Sequence, residues 1–307
     1  MVNASLRTND GKLTTLQRGY TPNGSLSSTQ YLPPTKIRLG INQVVATTST
    51  SSLTQPIPVE YGTPLDNGDN TLTGSSGGTN STDNTTTYKE GAGELDVTAQ
   101  NLIANGSNDT KIWTISDLST LGTVATATSR TSIWLYIIDA TALAKFLSSG
   151  TCLEIKLGSD VSNYYSKTFE LTDLAVGWNF LALGQLDANT ETGTVSGPIN
   201  YFVIEVTTNN ASDEFVAGDL VYDLLRQWVD ADEIVHFTSG YPTFDNTNRE
   251  VTIRTLINSA KANGFDINAL CLINEDTSEL LTDLHVFTSE SKSSSDQFAF
   301  VITNRNP

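Results

Sequence analysis

The chain has 307 residues and carries 17 Lys and Arg against 34 Asp and Glu, a formal net charge of −17. A surface of that sign repels phosphate and argues against nucleic acid as a partner, and a composition rich in Ser, Thr and Asn with only 17% charged residues suits strand faces and turns rather than helices. No stretch approaches the ~18 apolar residues of a membrane-spanning helix, and the first residues hold no apolar run of signal-peptide length, so the expectation is a protein made in the cytosol without membrane insertion.

Residues 1–29 are polar and turn-rich, with Asn9-Asp10-Gly11 and Pro22-Asn23-Gly24, and read as an extended arm. In residues 35–41, Ile37, Leu39 and Ile41 alternate with Lys36 and Arg38, the pattern of a half-buried strand. Pro56 and Pro58 remove ladder donors from residues 55–61 and place that piece at a sheet edge or outside a sheet. Residues 63–89 are mostly Gly, Ser, Thr, Asn and Asp, with Leu65 and Leu72 the only aliphatic residues. Such a segment buries too little to offset its ordering entropy and reads as a flexible linker.

From residue 90 to 228 the pattern changes to closely spaced strands, at 111–115, 132–138, 152–157, 164–171, 178–183, 201–206 and 220–225, separated by turns at sandwich-like intervals. Leu153, Ile155 and Leu157 alternate with Glu154 and Lys156, which gives one wet face and favours an antiparallel sheet. Asp139 is placed to cap a helix over 140–147, with Gly150 beyond its end. After Trp228, strands at 249–257, 269–273, 284–288 and 297–302 predict a second, smaller sheet, the last with Phe298, Phe300 and Ile302 on one face.

Little in the chain points to catalysis. His236 and His285 are far apart and outside any metal-ligand spacing, and no nucleophile elbow, phosphate-binding loop or dinucleotide-binding glycine pattern occurs, so no enzyme activity is expected. Cys152 and Cys271 lack a CxxC context and read as buried, reduced thiols. The densest carboxylate cluster, Asp230-Ala231-Asp232-Glu233, reads as a solvated loop. Asp66-Asn67-Gly68-Asp69-Asn70 sets oxygens around a glycine turn but lacks the closing glutamate of a calcium loop. No cofactor is expected beyond a candidate structural calcium site, in which Asp219 or Asp223 on the closing strand meets Glu94 or Asp96 near the opening one. Trp134 and Trp178 read as core. Tyr164 and Tyr165 are consecutive strand residues, so one of them looks outward and is a candidate to stack on a sugar ring.

Two resemblances bear on architecture. The stretch from Pro34-Thr35-Lys36-Ile37-Arg38-Leu39-Gly40 to Leu53-Thr54-Gln55-Pro56-Ile57-Pro58-Val59, together with Val251-Thr252-Ile253-Arg254-Thr255-Leu256-Ile257, the run 260–276, Val286-Phe287-Thr288 and the turn 292–296, resembles the particle-anchoring part of tailed-phage structural proteins of the fibre and appendage type. Residues 132–225, through Ile133-Trp134-Leu135-Tyr136-Ile137, Leu153-Glu154-Ile155-Lys156-Leu157-Gly158-Ser159-Asp160, Tyr164-Tyr165 and Gly177-Trp178-Asn179-Phe180-Leu181, are similar to galactose-binding-like jelly rolls. These resemblances imply an all-β protein in which a jelly-roll β-sandwich of 90–228 is inserted into a second small antiparallel β domain of 30–62 and 229–307. They also imply a virion appendage or decoration subunit, assembled in the host cytoplasm, self-associating, bound to other virion proteins and turned towards host-surface glycan. The alternative reading is a carbohydrate-binding module of a secreted adhesin or glycan-active enzyme.

Overall fold

The computed structural model of the chain describes residues 2–7, 34–43, 52–60, 62–89, 98–116, 118, 128–248, 250–274 and 281–305. The chain is all-β, and its strands pair antiparallel in four sheets. It divides into two compact units, one formed by Gly62–Asp230 and the other by the flanking segments Met1–Tyr61 and Ala231–Pro307.

The flanking unit opens with Val2–Arg7 (β1), Pro34–Ile41 (β2) and Gln55–Pro56 (β3). The central unit contains Thr63–Asp66 (β4), Thr73–Ser76 (β5), Thr82–Asn84 (β6), Ala99–Asn101 (β7), Thr110–Ile115 (β8), Ser129–Ile137 (β9), Thr151–Asp160 (β10), Asn163–Glu170 (β11), Gly177–Gln185 (β12), Thr190–Thr192 (β13), Tyr201–Thr207 (β14) and Leu220–Val229 (β15). The flanking unit then resumes with Ile234–His236 (β16), Thr243–Asp245 (β17), Glu250–Ile257 (β18), Asp266–Asn274 (β19), Leu281–Ser291 (β20) and Phe298–Arg305 (β21).

The central unit is a two-sheet sandwich. One sheet runs β13-β11-β10-β14-β8-β5 and the other β12-β9-β15-β7-β6, with β4 also on β15. Side chains that alternate inward from both sheets share one core. Trp113, Leu153, Ile155, Leu157, Phe202 and Ile204 come from the first sheet, and Ile133, Leu135, Leu181, Leu220 and Tyr222 from the second. The rings of Phe202 and Tyr222 meet across the two layers with centroids 5.3 Å apart.

In the flanking unit the sheet runs β1-β20-β19-β2-β16, with β3 on the end of β2, and a three-stranded sheet runs β17-β18-β21. The central strand β19 is buried on both faces, which is why it reads as a continuous apolar run rather than an alternation. Ala269, Cys271 and Ile273 pack with Leu53 and Leu284 on one side. On the other, Phe287 of β20 meets Phe300 of β21 at 5.7 Å, so the small sheet covers that face.

Four expectations are corrected. Residues 63–89 are not a linker. They supply β4, β5 and β6, bury Leu65 and Leu72 in the sandwich core and satisfy their polar groups internally. Ser81 accepts from the Leu72 amide and donates to Gln100 Oε1, both at 2.7 Å, and Asn84 donates to Asn101 Oδ1 at 2.8 Å. The arm starts with regular structure, because β1 pairs with β20; residues 8–29 lie outside the described residues. The helix is one turn, Ala140–Leu143, capped as expected by Asp139, which accepts from the Ala142 amide at 2.8 Å. It stops because the Leu147 amide donates to the Thr207 carbonyl, and the Asn209 side chain donates to the carbonyls of Ala144 and Phe146. The acidic cluster is not simply solvated. Glu233 is fully buried in the flanking unit with its carboxylate 3.3 Å from Arg38 Nε, while Asp230 pairs with Arg130 at 2.7 Å in the sandwich.

Candidate functional site

Strand alternation sorts the two candidate tyrosines. Tyr165 turns into the sandwich core and is 8% exposed, so Tyr164 is left on the outer face, half-buried. Gly158 of β10 is the register partner of Tyr164 on β11 and also of Tyr201 on β14. Phe202 points into the core, so Tyr201 points outward beside it, also half-buried. The three strands therefore present a tyrosine, a position without a side chain and a second tyrosine in one row. Gly158 cannot be replaced without moving β11. A Cβ there would lie 2.1 Å from the Asn163 carbonyl oxygen and 2.5 Å from Tyr164 Cα, so glycine permits the close approach that seats Tyr164.

The adjoining outward positions of β10 are Lys156 and Glu154. Lys156 Nζ lies 2.7 Å from Glu205 Oε2, 3.3 Å from Glu154 Oε2 and 5.4 Å from the Tyr164 ring centroid. Burial alone would lower the Lys156 pKa, but its hydrogen bond to Glu205 and the charges of Glu205 and Glu154 raise it, so the ammonium is held charged. The Tyr201 hydroxyl is pushed up by burial and stays protonated, a donor as well as an acceptor. Two tyrosines flanking a glycine across three strands, with Lys156 over the Tyr164 ring and a charged triad beside them, suit a ligand with one apolar face and a rim of hydroxyls. Tyr201 escapes sequence reasoning because its place beside Gly158 depends on β14 pairing with β10, which no local pattern encodes.

The outer face of the other sheet holds a second aromatic group and corrects another expectation. Ile133, Leu135 and Ile137 fill the core, so Trp134 and Tyr136 project to the opposite side. There Trp134 meets Trp178 edge-on at 6.4 Å and Phe180 at 5.1 Å, Tyr136 meets Trp178 at 5.3 Å, and Phe180 meets Trp228 at 6.0 Å. Lys89 Nζ sits 4.1 Å from the Trp134 ring centroid, within range of a cation–π contact. Trp134 is buried, as expected, though on the outer face of its sheet rather than between the two sheets, whereas Trp178 is partly exposed.

Of the candidate calcium residues, the two described, Asp219 and Asp223, have different partners. Asp219 is paired with Lys145 at 3.0 Å and accepts from the Val216 amide, and Asp223 accepts from the Lys89 amide at 2.7 Å. Glu94 and Asp96 lie outside the described residues, and among those described no three His, Cys, Asp or Glu side chains gather as a metal site. Cys152 and Cys271 are free and buried, and burial pushes the Cys152 thiol up to about 11. No protein-family model matches the chain, and no curated protein is significantly similar to it in sequence.

Proposed function

We propose that the protein is a non-enzymatic structural protein of a tailed-phage particle, whose flanking unit anchors it to other virion proteins and whose sandwich contacts host-surface glycan. The observation that carries the glycan part is the row Tyr164, Gly158 and Tyr201 with Lys156, Glu154 and Glu205 beside it. The rings offer faces to the C–H side of a pyranose, and the charged triad offers partners to its hydroxyls. The jelly-roll reading is supported by strand order. With β7–β12, β14 and β15 counted one to eight, one sheet runs 1-8-3-6 and the other 2-7-4-5, so that nearly every connection crosses between the sheets. Sugar stacking is weak at one site, and many copies on one particle raise it to useful avidity.

The test is binding of the chain to an array of mono- and oligosaccharides, followed for each hit with Tyr164→Ala and Tyr201→Ala. Each substitution is expected to weaken binding by about tenfold, or about 1.4 kcal/mol, while thermal unfolding shows that the fold is kept. Equal binding by both variants and the parent chain would remove this face from the proposal. Antibody labelling of purified particles separates the virion reading from the alternative of an exported carbohydrate-binding module.

A further inference from the structure

Within the flanking unit, β21 is the last strand of the sheet β17-β18-β21. Among the described residues it pairs on one side only, with β18, along a ladder that runs without a bulge from residue 298 to 305. No residue from 297 to 304 is charged and none is proline. Charged side chains, proline and bulges are the usual means by which a sheet edge is kept from pairing, and this edge has none of them. Its two faces differ. Phe298, Phe300 and Ile302 point inward, where they line a groove of about 460 Å³ with Leu270 and Phe287. Ala299, Val301 and Thr303 point outward and are exposed, Val301 by 58%. Phe298 and Phe300 face inward yet remain only half-buried, since on the free side of β21 no described strand continues the apolar row.

We infer that β21 pairs antiparallel with the β21 of a second copy of this chain, across a two-fold axis at Val301, and so joins two three-stranded sheets into one of six strands. A two-fold interface uses the same patch twice, so the edge must complement itself. The side chains of β21 meet that condition. With Val301 opposite itself, Phe300 faces Ile302 of the second copy and Ala299 faces Thr303, so the apolar row continues on the inner face and only uncharged groups meet on the outer one. An axis at Ile302 would set Phe300 against Asn304 and lose that match. Charge does not oppose the pairing, because the flanking unit holds 10 Lys and Arg against 13 Asp and Glu, and most of the net −17 lies in the sandwich. Arg254 is the partner of Val301 on β18. Across the axis the two Arg254 positions stand three strand spacings apart, about 14 Å, which is beyond the screening length at physiological salt. The inference concerns the flanking unit alone and rests on neither the glycan face nor the anchoring role.

The experiment uses the full chain. Sedimentation over a range of concentrations is expected to show a monomer–dimer equilibrium. Val301→Glu has a cross-strand partner in Arg254 and should keep the fold, which thermal unfolding checks. It sets two carboxylates against each other at the axis and is expected to weaken the dimer by about a hundredfold. Val301→Lys is expected to do the same. Mixing the two variants brings opposite charges to the axis, and native mass spectrometry with one variant isotope-labelled should show the heterodimer in excess over both homodimers. In the unsubstituted chain, amide exchange along residues 298–304 should slow as concentration rises, a measurement that does not rely on any variant folding. A monomer at every concentration, a dimer indifferent to Val301→Glu, or a mixture that forms no heterodimer overturns the inference. Exchange along 298–304 that slows only when other particle proteins are added also overturns it, because the edge would then belong to a different partner.

Discussion

Lys111 has no exposed surface, and its ammonium donates to the carbonyl oxygens of Asn105, Asn108 and Ala211; burial lowers its pKa, and the charges of Asp213, Asp109 and Glu214 oppose that shift. Asp66 is the complementary case. The buried Tyr222 hydroxyl donates to its Oδ2 at 2.7 Å and Asn70 to its Oδ1 at 2.6 Å, yet desolvation outweighs these bonds and holds the carboxyl above its ordinary pKa. His285 is 3% exposed on β20, and its Nε2 is buried without a hydrogen-bond partner among the described residues. Burial lowers its pKa, and the negative charge of Asp283 offsets this only in part. The folded chain therefore holds the neutral imidazole, whereas the unfolded chain protonates at about pH 6.5. Stability is fully present above that value and is lost as pH falls from it towards the lower folded pKa. His285→Leu is expected to flatten the fall in melting temperature between about pH 7 and pH 5, the window that linkage assigns to a depressed histidine; an unchanged pH profile would show that other groups carry the acid sensitivity.

At the scale of elements, the segment 63–89 shows a strand region stabilised mainly by polar contacts. Its two leucines contribute about 1.5–3 kcal/mol each on burial, and Ser81, Asn84 and Gln100 hold the rest through side-chain hydrogen bonds. Limited proteolysis is expected to leave this segment intact. Ser81→Ala removes both the acceptor of the Leu72 amide and the donor to Gln100, and should cost about 1–3 kcal/mol in denaturant unfolding, with new cleavage appearing between residues 63 and 89. Early cleavage there in the unsubstituted chain would contradict the hydrogen-bonded strands. Composition misleads here because residues such as Ser and Asn suit a solvated coil and a satisfied ladder equally well. By contrast, Leu153, Ile155 and Leu157 announce their strand by alternation alone, and Asp139 announces its cap by position.

On the scale of the whole molecule, the central unit can leave and re-enter the flanking one because its ends are neighbours. β4 and β15 are antiparallel partners, with Thr63 opposite Gln227, so the two chain ends of the sandwich emerge side by side. Each unit also has a core of its own. The excised segment Gly62–Asp230 is expected to fold alone and unfold cooperatively, with near-ultraviolet dichroism from its buried tryptophans. A molten spectrum from that segment would show that it needs the flanking unit to fold.

The all-β class, the positions of β8 to β12, β14 and β15 and the outward face of Glu154 and Lys156 were determined by the sequence itself, because alternation with period two is a property of adjacent residues. The placement of Trp134 on the outer face of its sheet, the burial of Glu233, the order in residues 63–89 and the placing of Tyr164 and Tyr201 on either side of Gly158 were decided only by tertiary structure. An apolar strand does not say which of its faces will be covered, and a polar residue does not say whether a partner will arrive. Those answers come from strands distant in sequence, through pairings such as β10 with β14 and β9 with β15, whose energy is gained only when the whole sheet closes.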